Sequence, residues 1–150
     1  IYGASSATGD YGVSSATGDS GVSSATGSGG VSSATGIYGA SSATGDYGVS
    51  SATGDSGVSS ATGSGGVSSA TGIYGASSAD NSTAVAVAWG YESKAKGCIG
   101  AHIVCAEWKY DNLNNDWVFV GAKMSIVDGV KIKADTYYTL RDGEFVEVEE

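Results

Sequence analysis

The first 81 of the 150 residues contain no lysine, arginine, histidine, cysteine, tryptophan or proline, and their only charges are Asp10, Asp19, Asp46, Asp55 and Asp80. The remaining 69 residues hold all seven basic groups against eleven acids, so both parts are acidic and the chain carries a net charge of −9. Nucleic-acid binding needs clustered Lys and Arg to displace counterions, so an acidic chain with no basic cluster excludes that partner class. Long hydrophobic runs are also missing. The most apolar stretches, Ala84 to Trp89 and Trp117 to Ala122, fall far short of the roughly 20 residues of a membrane span. No signal peptide is visible at Ile1-Tyr2-Gly3. A single histidine, His102, and serines set as Gly12-Val13-Ser14-Ser15-Ala16 lack the Gly-x-Ser-x-Gly elbow of a hydrolase. The expectation is a protein that is not an enzyme and has no catalytic residue, metal or cofactor.

What is present is one nonapeptide spoken nine times, from Ile1-Tyr2-Gly3-Ala4-Ser5-Ser6-Ala7-Thr8-Gly9 to the copy that ends at Asn81. Ala or Val recurs at the fourth place and Ala at the seventh, while the first two places vary. A flexible Gly/Ser linker has no reason to keep such positions, so the repeat reads as ordered structure. Two or three glycines per nine residues disfavour a helix by about 1 kcal/mol each. A five-residue segment such as Val13-Ser14-Ser15-Ala16-Thr17, flanked by Gly12 and Gly18, reads as one short strand followed by a tight turn. A unit this small buries nothing alone and must stack on its neighbours.

The predicted fold is therefore all-β: a parallel β-solenoid of about 18 residues per coil over residues 1–81, two nonapeptides to a coil, followed by a transition coil and a β-rich antiparallel C-terminal cap over residues 82–150. Residues 1–36 and 37–72 are identical, the mark of a recent duplication or of an idealised sequence. With 18 residues per coil one edge reads Tyr2, Ser20, Tyr38, Ser56, Tyr74 and the other Tyr11, Gly29, Tyr47, Gly65, so large and small alternate. A 36-residue coil would stack the tyrosines but needs a wide core that Ala, Ser, Val and Thr cannot fill. The apolar fourth and seventh places are three apart, and a regular strand sends them to opposite faces. A bend at the Ser-Ser pair would bring both inside; which serine points inward is left open.

Beyond residue 81 the candidate strands are Ala84 to Trp89, Cys98 to Trp108, Trp117 to Ile126, Val130 to Lys133, Tyr137 to Leu140 and Glu144 to Glu149. Asp128-Gly129 and Asp142-Gly143 are hairpin signals, which predicts an antiparallel meander. Asp111 to Asp116 reads as an Asn/Asp-rich turn, and Glu147, Glu149 and Glu150 as a solvated edge. Cys98, His102 and Cys105 have no zinc-module spacing and read as structural thiols beside a partly exposed histidine.

The nonapeptide period resembles that of the calcium-binding β-rolls of RTX toxins, but units such as Gly27-Ser28-Gly29-Gly30 carry no carboxylate. Ser82-Thr83-Ala84-Val85-Ala86-Val87-Ala88-Trp89-Gly90-Tyr91-Glu92-Ser93-Lys94-Ala95-Lys96-Gly97 resembles the head repeats of trimeric autotransporter adhesins. The nonapeptides together with the tail from Val127-Asp128-Gly129 to Tyr137-Tyr138 resemble uncharacterised repeat proteins of gut bacteria and their phages. That resemblance implies a β-solenoid with a non-repetitive C-terminal cap. The expected role is a structural scaffold, spacer or adhesin-like surface module. The alternative is an ice-binding or glycan-binding solenoid. Its candidate residues are the stacked hydroxyls Ser15, Thr17, Ser33, Thr35, Ser51 and Thr53, which resemble the ladders of insect ice-binding solenoids, and the edge tyrosines Tyr2, Tyr38 and Tyr74. An uncovered N-terminal coil presents unpaired backbone groups, so self-association through that edge is the expected partner interaction.

Overall fold

A computed structural model describes residues 1–150. The chain contains no helix and fifteen strands: β1 Ala4–Thr8, β2 Val13–Thr17, β3 Val22–Thr26, β4 Val31–Thr35, β5 Ala40–Thr44, β6 Val49–Thr53, β7 Val58–Thr62, β8 Val67–Ala70, β9 Ala76–Ala79, β10 Val85–Ala88, β11 Lys94–Gly97, β12 His102–Asp111, β13 Asp116–Ile126, β14 Tyr137–Arg141 and β15 Glu144–Val148. Odd and even strands up to β12 form two facing sheets, and each coil contributes one strand to each. Ala4 pairs with Val22 and Val13 with Val31, so the coil is 18 residues and like stacks on like. Six such coils at a sheet spacing of about 4.8 Å make a body roughly 29 Å tall.

The composition shift after Asn81 does not interrupt the winding. β9, β10 and β11 continue the parallel ladder, Val67 pairing with Val85 and Ala76 with Lys94. The next step is one residue shorter, since Val85 pairs with His102. The chain then turns back on itself. β13 folds antiparallel onto β12 in one sheet, while β14 and β15 form a hairpin on the end of the other, β14 lying antiparallel to β11. These are two separate hairpins on two sheets, which corrects the single meander read from the sequence.

The interior corrects the expected face assignment. There is no bend at the Ser-Ser pair. Each strand is regular, so the first serine and the alanine two places on point inward while Val, the second serine and Thr point outward. The outward valines of the repeats are 38–71 % exposed, and Ala25, Ala34, Ala52 and Ala61 are fully buried. Size decides between the two possible faces. Only Ser and Ala are small enough for the sheets to approach to hydroxyl–hydroxyl distance. Ser14, Ser23, Ser32, Ser41, Ser50, Ser59, Ser68 and Ser77 form a continuous zigzag across the interior, alternating between sheets, with successive Oγ atoms 2.8–3.0 Å apart. Each hydroxyl from Ser23 to Ser68 is thereby both donor and acceptor, which offsets the desolvation cost of placing it there. Where Ala86 takes the next place, the Ser77 hydroxyl donates instead to the Ser68 carbonyl at 3.0 Å. From there the core becomes apolar in the ordinary sense, with Ala86, Ala88, Ile103, Cys105, Val127, Ile132, Tyr138 and Leu140 in one cluster.

The turns account for the longer 36-residue period. The second place of the nonapeptide adopts left-handed backbone, at φ 61° in Tyr11, 58° in Tyr47 and 70° in Gly29. Tyrosine is a costly residue there, and its ring explains its presence. A Cβ on Gly29 would lie 2.7 Å from Cδ1 of Tyr11, and one on Gly65 2.9 Å from Cδ1 of Tyr47. Each ring lies across the glycine of the next coil, which accounts for the alternation of tyrosine with glycine along that edge. The aspartates follow the same rule. Asp10 and Asp46 are separated by Ser28, and Asp19 and Asp55 by Ile37, which holds like charges two coils, about 10 Å, apart and within reach of salt screening.

At the C-terminal end Asp142-Gly143 forms the predicted two-residue hairpin turn, with φ 51° and 76° and Arg141 paired to Glu144. Asp128-Gly129 does not, and Val130 to Lys133 is not a strand. The Asp128 Oδ1 atom accepts the N–H groups of Val130, Lys131 and Ile132 at 2.8–3.1 Å, and this winds the segment into a loop. Those bonds, that of Val130 first, hold the Asp128 carboxyl below the usual carboxylate range. Asp111 to Asp116 is a turn, as read, and the Asp111 carboxylate accepts the Leu113 N–H at 2.9 Å. Of the C-terminal acids, Glu147 pairs with Lys133 at 3.1 Å and Glu150 with Lys96 at 3.3 Å.

Candidate functional sites

Three surfaces stand out. The first is the outer face of the even-numbered sheet. Because its strands are in register, Ser15, Ser33 and Ser51 form one column and Thr17, Thr35 and Thr53 a parallel one, with the valines Val13, Val31 and Val49 as a third. Along a column the residues repeat at the strand spacing of about 4.8 Å, and across columns at two residues of strand, about 6.7 Å. All six hydroxyl residues singled out from the sequence therefore lie on one regular lattice. Their inward neighbours are the serines of the zigzag, so the lattice rests on a hydrogen-bonded interior that fixes its spacing.

The second surface is the turn edge that carries Tyr2, Tyr38 and Tyr74. All three are exposed, and Ser20 and Ser56 stand between them, so the structure spaces the rings two coils apart and does not stack them. Only Tyr74 has an aromatic neighbour, Tyr91, with ring centroids 6.1 Å apart in an edge arrangement.

The third surface was not legible in the sequence. The register of the β12–β13 hairpin shifts between Glu107 and Trp108, and beyond that bulge Trp108 pairs with Phe119 and Tyr110 with Trp117 on one face. Those rings pack back on the coils. Phe119 stacks on Trp89 at 5.4 Å, Trp117 lies 3.9 Å from Tyr91, and Tyr110 meets Trp117 edge-on at 5.2 Å. The Trp108 indole N–H donates to the Trp89 carbonyl at 2.6 Å, which locks that ring. Between this aromatic wall and the end of β14 runs an open groove of about 430 Å³. Its opposite wall is ionic. Arg141 donates to Glu92 at 2.7 Å, and that bond raises the guanidinium pKa further. Glu107, 6 % exposed, accepts the N–H groups of Asp142 and Gly143 on its two oxygens at 2.9 and 3.0 Å. Lys109 bridges Asp142 at 3.5 Å and Glu107 at 4.0 Å. The signal in the sequence was only that every tryptophan and phenylalanine lies after residue 81.

The Cys98, His102 and Cys105 cluster is dispersed by the fold. Cys98 sits in the turn before β12, His102 stands on the outer face, and Cys105 is buried in the apolar core with its thiol 3.4 Å from the Tyr138 carbonyl. Both thiols are free. Burial pushes the Cys105 thiol up to about 12, and burial followed by the charge of Asp80 raises that of Cys98. Alkylation by iodoacetamide at neutral pH is therefore slow at both and selective for Cys98. Peptide mass mapping is expected to show Cys105 modified only after denaturation, and equal labelling of the native protein would contradict the burial of Cys105. Compared with known proteins, the chain matches no family model, no curated sequence and no solved structure.

Proposed function

We propose that the chain is a non-enzymatic structural module, a rigid β-solenoid spacer closed by its C-terminal hairpins. The observation that carries this reading is the in-register zigzag of serine hydroxyls, which ties every coil from Ser14 to Ser77 to the next through the interior as well as through the strand ladder. Turns add to it, since the backbone N–H of Tyr11 donates to the Ser28 carbonyl at 2.8 Å and that of Tyr47 to the Ser64 carbonyl at 2.7 Å. Each coil touches only its neighbours, so coil number sets length and little else. The resemblance of Ser82 to Gly97 to adhesin head repeats, over one or two coils, fits the same role. Pairing of the open β1 and β2 edges with a second copy belongs to this reading.

Deleting residues 37–72, the second copy of the 36-residue unit, tests it. The shortened chain is expected to fold with an unchanged NMR spectrum for residues 82–150 and to be shorter by two coils, about 10 Å, in small-angle scattering. A shortened chain that unfolds overall would show that the coils are not interchangeable spacer units. The full chain is expected to have a radius of gyration near the ~15 Å of a compact 150-residue protein rather than the ~40 Å of an unfolded one.

A second reading is ice binding, favoured by the in-register Ser15/Thr17, Ser33/Thr35 and Ser51/Thr53 lattice with its flanking valines. Thermal hysteresis of a cooled solution tests it directly. None at millimolar protein would dismiss it.

A further inference from the structure

We propose that the groove between the β12–β13 hairpin and the end of β14 binds a neutral saccharide. Four aromatic residues, Tyr91, Trp108, Tyr110 and Trp117, form one wall, and their mutual packing holds them before any ligand arrives. Trp117 and Tyr110 nevertheless remain 37 % and 45 % exposed. Rings that are fixed yet partly open to water suit a ligand with flat apolar faces, and the C–H faces of a pyranose have that shape.

The ionic wall discriminates between ligand classes. Every charge in it already has a partner: Arg141 has Glu92, Glu107 has two backbone N–H groups, and Lys109 has Asp142. A cationic ligand caged by the aromatic rings would have to compete with Arg141 and Lys109 for the carboxylates, and an anionic ligand would have to displace Glu92 from Arg141. A sugar hydroxyl displaces neither. It donates to a carboxylate lone pair and accepts from a guanidinium N–H that the ion pair leaves free, because a carboxylate accepts about four hydrogen bonds and Arg donates five. The wall thus offers fixed donors and acceptors, three carboxylates against two cations, each of them already partnered within the protein. Its volume of about 430 Å³ falls within the range of small-molecule sites, about 300–1,000 Å³. Because both walls are held in place by contacts within the protein, little ordering is left to oppose binding.

The test uses the full chain and four neutral disaccharides, cellobiose, maltose, lactose and N,N′-diacetylchitobiose, each at millimolar concentration, with tetramethylammonium chloride and sodium sulfate as charged probes. Saturation-transfer NMR reads contact, and tryptophan fluorescence reads affinity. At least one disaccharide is expected to receive saturation and shift the fluorescence. Tyr110→Ala and Arg141→Gln are each expected to weaken that binding about tenfold, the loss that follows from removing one central contact. Tyr11→Ala, on a turn of the first coil, is expected to leave it unchanged. Both groove variants are accepted only with a thermal midpoint that shows the fold retained, and Tyr110→Phe, which keeps the ring, is expected to restore most of the affinity. Absence of saturation transfer to all four disaccharides overturns the proposal. So does a response to tetramethylammonium or sulfate alone, or binding that survives both groove substitutions in folded protein. Since the groove lies outside the repeats, these outcomes are independent of the 37–72 deletion.

Discussion

Ser50→Leu is expected to destabilise the protein by about 4 kcal/mol, whereas Ser51→Leu, one residue along the same strand, changes stability by less than about 1 kcal/mol. Ser50 is completely buried; its hydroxyl donates to Ser41 at 3.0 Å and accepts from Ser59 at 2.9 Å. Leucine there does two separate kinds of damage. It forces a large side chain into a gap whose width is set by serine and alanine, and overpacking of that kind costs about 1–3 kcal/mol. It also leaves the Ser59 hydroxyl without its acceptor and Ser41 without its donor, which costs about 1–3 kcal/mol more. Ser51 points outward, so its leucine meets solvent. Ser50→Ala separates the two contributions. It removes the bonds without overpacking, and the Ser59 hydroxyl can turn to a backbone carbonyl as Ser77 does, so a loss of about 1–2 kcal/mol is expected.

The two signals available make this measurable coil by coil. All three tryptophans lie at or beyond Trp89, so their fluorescence reports the C-terminal coils, while far-ultraviolet circular dichroism reports the whole ladder. In a stack where each coil depends on its neighbours, a defect at Ser50 divides the molecule. The Ser50→Leu melt is expected to show the dichroism falling before the fluorescence, and coincident, unshifted transitions in this variant would mean that Ser50 does not face the interior.

How far this architecture can be read from the sequence depends on which residues decide it. The 18-residue coil follows from the nine-residue spacing of glycines and from the poverty of large side chains, because nothing in the repeats fills a wider barrel. The alternation of Tyr11 with Gly29 and Tyr47 with Gly65 follows from the same number. The inward face does not. Val-Ser-Ser-Ala-Thr offers an apolar residue of each parity, and a rule based on hydrophobicity alone favours burying the valine. The outcome turns on the distance at which two serine rows bond to one another, a property of two strands together that neither strand displays alone. The C-terminal end divides in the same way. Asp142-Gly143 makes its hairpin because both flanking segments are free to pair. Asp128-Gly129 does not, because one carboxylate captures three backbone N–H groups first. The aromatic groove depends on a register shift between Glu107 and Trp108 that no residue type announces, and without it Trp108 and Tyr110 would not face Tyr91.

Gly54→Ala is the second substitution expected to break the fold, by about 4 kcal/mol or more, and Gly65→Ala, in the next turn along the chain, is expected to cost only about 1 kcal/mol. Both glycines have positive φ, 133° for Gly54 and 67° for Gly65. Conformational preference alone does not separate them by much. The region near Gly54 is one that residues with a Cβ scarcely enter, at about 1–3 kcal/mol, while the left-handed region of Gly65 costs alanine about 1–2 kcal/mol. What separates them is the neighbour each new methyl would meet. At Gly54 it strikes the backbone carbonyl of Gly36, itself stacked on that of Gly18, so the turn column cannot yield without pulling apart the ladder beside it. At Gly65 it meets only the ring of Tyr47, which is 71 % exposed and free to swing into solvent. Tyr47 itself occupies the equivalent left-handed position at φ 58°, so the fold already accepts a side chain there. At about 2–4 °C per kcal/mol for a chain of this size, Gly54→Ala is expected to lower the melting temperature by about 10 °C and Gly65→Ala by a few degrees. Equal losses from the two would mean that the close stacking of the Gly18, Gly36 and Gly54 column does not hold the coils together.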